Sequence, residues 1–168
     1  MAEPKSKDIN LYRPAAGICL FNTDGKVFLG RRAGSRTRHV WQFPQGGIDA
    51  GETPLLGAMR ELEEETGVKA QHIKSLGMID DWLFYDFPKG FTGSKAAKGW
   101  HGQRQLWYAF RFTGKSKHID LKAHKDIEFS DWRWGTLAEA EKLIVPFKRK
   151  VYARVAREFA RFESPEHE

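Results

Sequence analysis

Gly46-Gly47-Ile48-Asp49-Ala50-Gly51-Glu52-Thr53-Pro54-Leu55-Leu56-Gly57-Ala58-Met59-Arg60-Glu61-Leu62-Glu63-Glu64-Glu65-Thr66-Gly67-Val68 contains a helix with both ends written into it. Thr53 suits the cap, Pro54 suits the first helical position, where no N–H is required, and Gly67 suits the left-handed residue that ends a helix. At about 100° per residue, Leu55, Ala58, Met59 and Leu62 fall on one stripe, which should face a core. Glu61, Glu64 and Glu65 share a second face, where like-charged neighbours repel by a few tenths of a kcal/mol per pair. They also crowd the C-terminal half, which the helix dipole makes unfavourable for negative charge. A divalent cation among the carboxylates offsets this, because Mg²⁺ prefers hard oxygen ligands and bridges to substrate phosphates. On the three glutamates alone, a solvated acidic face partly neutralised by Arg60 is the competing reading.

Outward from this segment, residues 15–21 and 26–31 flank Asn22-Thr23-Asp24-Gly25, a hairpin turn in which Asp-Gly supplies positive φ. Aromatic and β-branched content predicts further strands at 71–79, 81–87, 105–112 and 128–134. Residues 88–102 hold four glycines and three lysines with little apolar periodicity, and read as a surface loop. From Pro146 onward, Phe147, Val151, Val155, Phe159 and Phe162 recur at helical spacing. The polar ends, 1–10 and 163–168, read as tails around a single domain at 11–162.

A chain of 168 residues with 40% hydrophobic and 13% aromatic content can bury one substantial core. No window nears the roughly 20 apolar residues of a membrane span, and residues 1–7 lack a signal-peptide run, so a cytoplasmic location is expected, with no membrane and no obligate protein partner. Cys19 is the single cysteine, which excludes an intramolecular disulfide and suits a packed strand position. The net charge of +6 favours anionic ligands such as nucleotides or RNA. The six histidines show no zinc spacing.

Gly46, Glu52, Arg60, Glu61, Leu62, Glu64, Glu65, Gly67 and Val68 together satisfy Gly-x5-Glu-x7-Arg-Glu-Leu-x-Glu-Glu-x-Gly-Val without a mismatch. Average composition would give this match with a probability on the order of 10⁻⁹ per starting residue. The segment resembles a complete Nudix box. That resemblance implies an α/β (α+β) fold, a mixed β-sheet sandwiched between helices, in which a loop–helix–loop holds Mg²⁺ or Mn²⁺. It implies metal ligation by Glu61, Glu64 and Glu65. One carboxylate near the metals would orient or deprotonate water, with Glu61 the first choice among the three. Arg60 is grouped with Glu61 and Glu64 as catalytic, more as a buttress at helical spacing than as a substrate contact. Gly46, Gly47 and Gly51 are expected to allow loop turns, and Glu52 to tie that loop to the helix or join the outer metal shell.

Outside the box, Tyr12-Arg13-Pro14, Trp41-Gln42-Phe43-Pro44-Gln45-Gly46-Gly47 and Gly102-Gln103-Arg104-Gln105 resemble the bacterial RNA pyrophosphohydrolase and dinucleoside polyphosphate hydrolase group. The resemblance makes Glu128 a fourth metal ligand and places Arg13, Arg32, Gln45, Gly46, Gly47, Tyr85 and Lys148 against substrate. Tyr85 would stack on a base, the competing reading being a strand aromatic packed in the core. Lys148, Arg149 and Lys150 open a helix against its own dipole, a placement that suits a bound phosphate. The function implied is removal of pyrophosphate from the 5′-triphosphate end of RNA, a step in RNA processing, with asymmetric hydrolysis of diadenosine tetraphosphate as the alternative. A non-catalytic domain that binds RNA or nucleotides is the reading from another class, and the full set of glutamates argues against it.

Overall fold

The computed structural model describes residues 8–91 and 99–165. The centre of the expected 88–102 loop, with Lys95 and Lys98, lies outside the described residues, as do the outermost parts of both tails.

The apolar run near the start forms β1 (Tyr12–Phe21), whose faces are both covered. Cys19 and Phe21 point to one side, and Ala16, Ile18 and Leu20 to the other. Burial on both faces explains why this strand reads as continuous hydrophobicity rather than alternation. At the Asn22-Thr23-Asp24-Gly25 turn, the Asn22 side chain accepts the N–H groups of Asp24 and Lys26, and Gly25 takes φ +83°. The chain then returns as β2 (Val27–Arg32).

Two short strands follow, β3 (Trp41–Gln42) and β4 (Gln45–Gly47), and then α1 (Pro54–Thr66). Both helix ends match their expected chemistry: Thr53 Oγ1 accepts the Leu56 N–H, and Gly67 ends the helix at φ +76°. Of the expected core stripe, Ala58 and Leu62 are buried and Met59 packs against them, but Leu55 is 42% exposed. Leu55 belongs to the first turn, where the stripe has not yet reached its partners under the sheet.

β5 (Ile73–Asp86) and β6 (Gly102–Phe112) form the other half of the sheet. The sequence predicts two strands at 71–79 and 81–87, whereas the structure has one. Its register against β6 shifts between Ile79 and Leu83, so the exposed Asp80 and Asp81 occupy a bulge that reads as a break. β7 (Phe129–Gly135) pairs with β2. Two helices close the chain. The first, α2 (Leu137–Leu143), is capped by Thr136. The second is α3 (Arg149–Phe159), whose expected first turn at Pro146–Lys148 is 3-10 rather than α-helical.

Among the described residues the sheet runs β3-β2-β1-β6-β5, with β4 on β1 and β7 on β2, and β1 lies parallel to β6 between antiparallel neighbours. On one face α1 buries Ala58 and Leu62 against Ile18, Leu20 and Phe110. On the other, α2 and α3 bury Leu137, Val151 and Phe159 against Phe21 and Trp107. The mixed sheet between helices is therefore as expected. Among the described residues no helix is long and apolar enough to cross a membrane.

Candidate active site

β4 brings the loop onto the acidic helix. Gln45, Gly46 and Gly47 pair with Gly17, Ala16 and Ala15 of β1, and the next turns lead into α1. A Cβ on Gly46 would overlap the Glu61 carboxyl group, and one on Gly47 would overlap the Arg13 guanidinium. The two glycines thus permit close approach by charged groups instead of forming a turn. Gly51, at φ +84°, is the one of the three expected loop glycines that takes the left-handed turn.

Arg60 organises the carboxylates. Its Nη2 donates to Glu52 Oε1 at 2.7 Å and to the Gly47 carbonyl at 2.8 Å, and its Nε donates to Glu52 Oε2 at 3.1 Å. Its Nη1 donates to both Glu61 Oε1 (2.9 Å) and Glu64 Oε2 (3.2 Å). These hydrogen bonds, Glu52 foremost, stabilise the charged guanidinium and raise its pKa further. The same Arg60 contact, with the Asp49 N–H, holds the Glu52 carboxyl below the ordinary carboxylate range. Glu52 therefore ties the loop to the helix.

Glu65 is buried, and its Oε2 accepts the Gln45 N–H at 3.2 Å. Glu61 is 14% and Glu64 40% exposed in their side chains. Glu63 looks instead into a cleft on another side of α1. All-oxygen donors on one helix suit a hard divalent cation. Among the described residues, no three His, Cys, Asp or Glu side chains already converge on one metal position. Water and substrate oxygens would have to complete the shell, as they do for Mg²⁺.

Beside Gln45 opens a cleft of about 440 Å³. It gathers four of the expected substrate and metal residues, Arg32, Tyr85, Glu128 and Lys148, in addition to Gln45. Glu128 is exposed there, in the same cleft wall as Arg32, and is not one of the carboxylates that Arg60 holds among the described residues. Arg13 sits against Gly47 rather than in the cleft wall. Ser35, Thr37 and His39 line the opening, while Arg36 and Arg38 do not.

For Tyr85 the structure bears on the two readings left open. The residue is 5% exposed, its ring contacts Phe87 and Phe147, and Lys148 Nζ lies 5.3 Å from its centroid. Burial raises its hydroxyl pKa. Packed this way, the ring is a floor for Lys148 in the cleft, which favours the reading of a packed strand aromatic. Tyr85→Ala should therefore destabilise the fold by about 3–5 kcal/mol, the cost of emptying a buried aromatic site, and lower turnover of every substrate alike. Denaturant unfolding checks the first effect, and a loss confined to one substrate would restore the stacking role.

The exposed aromatic surface is elsewhere. Phe87 and Phe91 stack at 4.9 Å and 12°, Phe91 is 38% exposed, and Phe147 meets Phe91 at 5.9 Å. All three line the cleft. Sequence reasoning passes over Phe91 because it stands in a glycine- and lysine-rich loop; its signal is the i, i+4 pair with Phe87 around the Pro88-Lys89-Gly90 turn.

Comparisons with known proteins agree with this architecture. A family model described as NUDIX domain matches residues 11–155. A Caulobacter vibrioides relative named RNA pyrophosphohydrolase is 49% identical over 158 residues, covering 92% of this chain and 91% of its own. One of the same name from a Bradyrhizobium species is 51% identical, covering 89% and 92%. Among solved structures, Escherichia coli dihydroneopterin triphosphate pyrophosphohydrolase aligns with a TM-score of 0.64 at 16% identity, covering 88% of this chain and 98% of its own. Caenorhabditis elegans Ap4A hydrolase aligns at 0.60 and 19%, with the same coverage. At such identities these two structures speak for the fold alone. The box that caps, clamps and charges α1, the sheet it packs under and the match across residues 11–155 agree: the chain belongs to the Nudix family.

Proposed function

We propose that this chain hydrolyses the 5′-triphosphate end of RNA, releasing pyrophosphate and leaving a 5′-monophosphate. The observation that carries the reading is the cleft in which Arg32 and Lys148 stand with the Phe87, Phe91 and Phe147 wall, joined through Gln45 to Glu65 of the acidic helix. The relatives named RNA pyrophosphohydrolase support it at about half identity across nearly the whole chain.

In this reading Lys148 and Arg32 bind the phosphate chain by charge-assisted hydrogen bonds, and the phenylalanines hold the adjoining base. Glu61, Glu64 and Glu65 would hold Mg²⁺ or Mn²⁺, with Glu128 as a further carboxylate at the cleft mouth. Bound there, such a cation neutralises developing phosphate charge and acidifies water. Arg60 is a positioning residue that fixes Glu61 and Glu64. Glu61 is assigned the water proton. The water oxygen attacks phosphorus, the bond to the pyrophosphate oxygen breaks, and pyrophosphate leaves.

Asymmetric hydrolysis of diadenosine tetraphosphate is the second reading, favoured by the same aromatic wall, which accepts a base from either substrate. A substrate panel separates them: triphosphorylated RNA should show the higher kcat/KM, and preference for the dinucleotide would reverse the order. Lys148→Ala should depress both by roughly 10- to 150-fold, the worth of a charged hydrogen bond. Phe91→Ala should raise KM with kcat nearly kept, on the scale of about 1–3 kcal/mol for base–aromatic stacking. An unchanged KM would remove Phe91 from base binding.

A further inference from the structure

A second cleft, of about 580 Å³, opens at the C-terminal end of α1, between the 3-10 turns Ala70–His72 and Ser116–His118. In its wall His72 and His118 stack directly on each other, with centroids 3.9 Å apart and rings at 21°. His118 Nδ1 accepts the Lys115 N–H at 2.8 Å, so neutral His118 carries its proton on Nε2 as a donor. Lys69 and His124 share the lining, and Lys115, Lys117, Lys122 and Lys125 stand along the adjoining segment. These five lysines are exposed, and none forms a salt bridge among the described residues. Of the two acids in the wall, Asp120 turns its carboxylate back to the Lys122 N–H at 2.9 Å, and Glu63 stands on the side of α1 away from the Arg60 cluster.

A cleft with an imidazole donor in its wall, beside five lysines that form no salt bridge among the described residues, has the chemistry that holds single-stranded nucleic acid: hydrogen-bond donors beside a cationic backbone track. Glu63, in this wall, is the chain neighbour of Glu64 in the Arg60 cluster, so the two sites open on adjoining sides of α1. We propose that this cleft and its lysines bind the body of an RNA substrate, downstream of the triphosphate held at the active site. The proposal rests on the RNA reading above and deepens it: only an RNA chain that continues past the nucleotide held at the active site brings a run of further phosphates to these lysines.

The test is the double variant Lys117→Ala/Lys122→Ala. It should lower kcat/KM roughly tenfold on a triphosphorylated RNA of about twenty nucleotides, through KM, and leave a triphosphorylated dinucleotide and diadenosine tetraphosphate within about twofold. Binding to a 5′-hydroxyl RNA of the same length should lose salt dependence by about 0.7 in log–log slope for each phosphate contact removed. Equal losses on long and short substrates, or an unchanged salt slope, would overturn the proposal. Should the wild-type protein release no pyrophosphate from any RNA, the functional reading fails, while 5′-hydroxyl RNA binding still decides the second site.

Discussion

Replacing Arg60 with alanine is expected to cost about 3 kcal/mol of stability and to cut kcat/KM at least roughly 100-fold. One partly buried guanidinium serves Glu52, Glu61, Glu64 and the Gly47 carbonyl, so its loss leaves three carboxylates crowded without their cation. Arg60→Lys should recover little, because an ammonium group cannot span these partners at once. The Glu52 carboxyl adds a pH signature. Its pKa is lowered in the folded protein by Arg60, so its stabilising contribution is present above the unfolded value near about 4.3 and is lost as pH falls through the folded value. Arg60→Ala should flatten that acid limb in urea titrations. Full stability and activity in this variant would mean that the cluster is a solvated surface feature.

Glu64→Gln and Glu61→Gln should each lower kcat by roughly 10²- to 10³-fold with small changes in melting temperature, the scale of removing one preorganised electrostatic group. Glu63→Gln is the internal control, because Glu63 opens into the other cleft while Glu61 and Glu64 share Nη1 of Arg60. Both substitutions should also weaken the dependence of rate on Mg²⁺ concentration. Comparable losses at Glu63 and Glu64 would undo the assignment of faces on α1.

What could be read from the chain was local. Thr53, Pro54 and Gly67 specify α1 through neighbours a few residues away, so its ends and its acidic face are legible. The box glutamates follow, since helical spacing alone separates Glu61, Glu64 and Glu65 from Glu63. β4 is not legible, because Gln45-Gly46-Gly47 has no strand propensity and becomes a strand by pairing with β1. α2 is seven residues long, too short to show a period, and is fixed by its Thr136 cap and by burial of Leu137 and Ala140. Tyr85 shows a different limit: an aromatic in a strand carries no mark of whether its ring is open or covered, and here Phe147 and Lys148, more than sixty positions away, cover it. The same tertiary packing brings the exposed Phe91 and the half-buried Phe147 together in the cleft wall.

Product analysis on triphosphorylated RNA is the decisive measurement, run with and without divalent metal and with Glu64→Gln alongside. Pyrophosphate and 5′-monophosphorylated RNA in equal amounts, formed only with metal and strongly reduced in Glu64→Gln, is the predicted result; no phosphate release in any divalent metal, or release undiminished in Glu64→Gln, would contradict it.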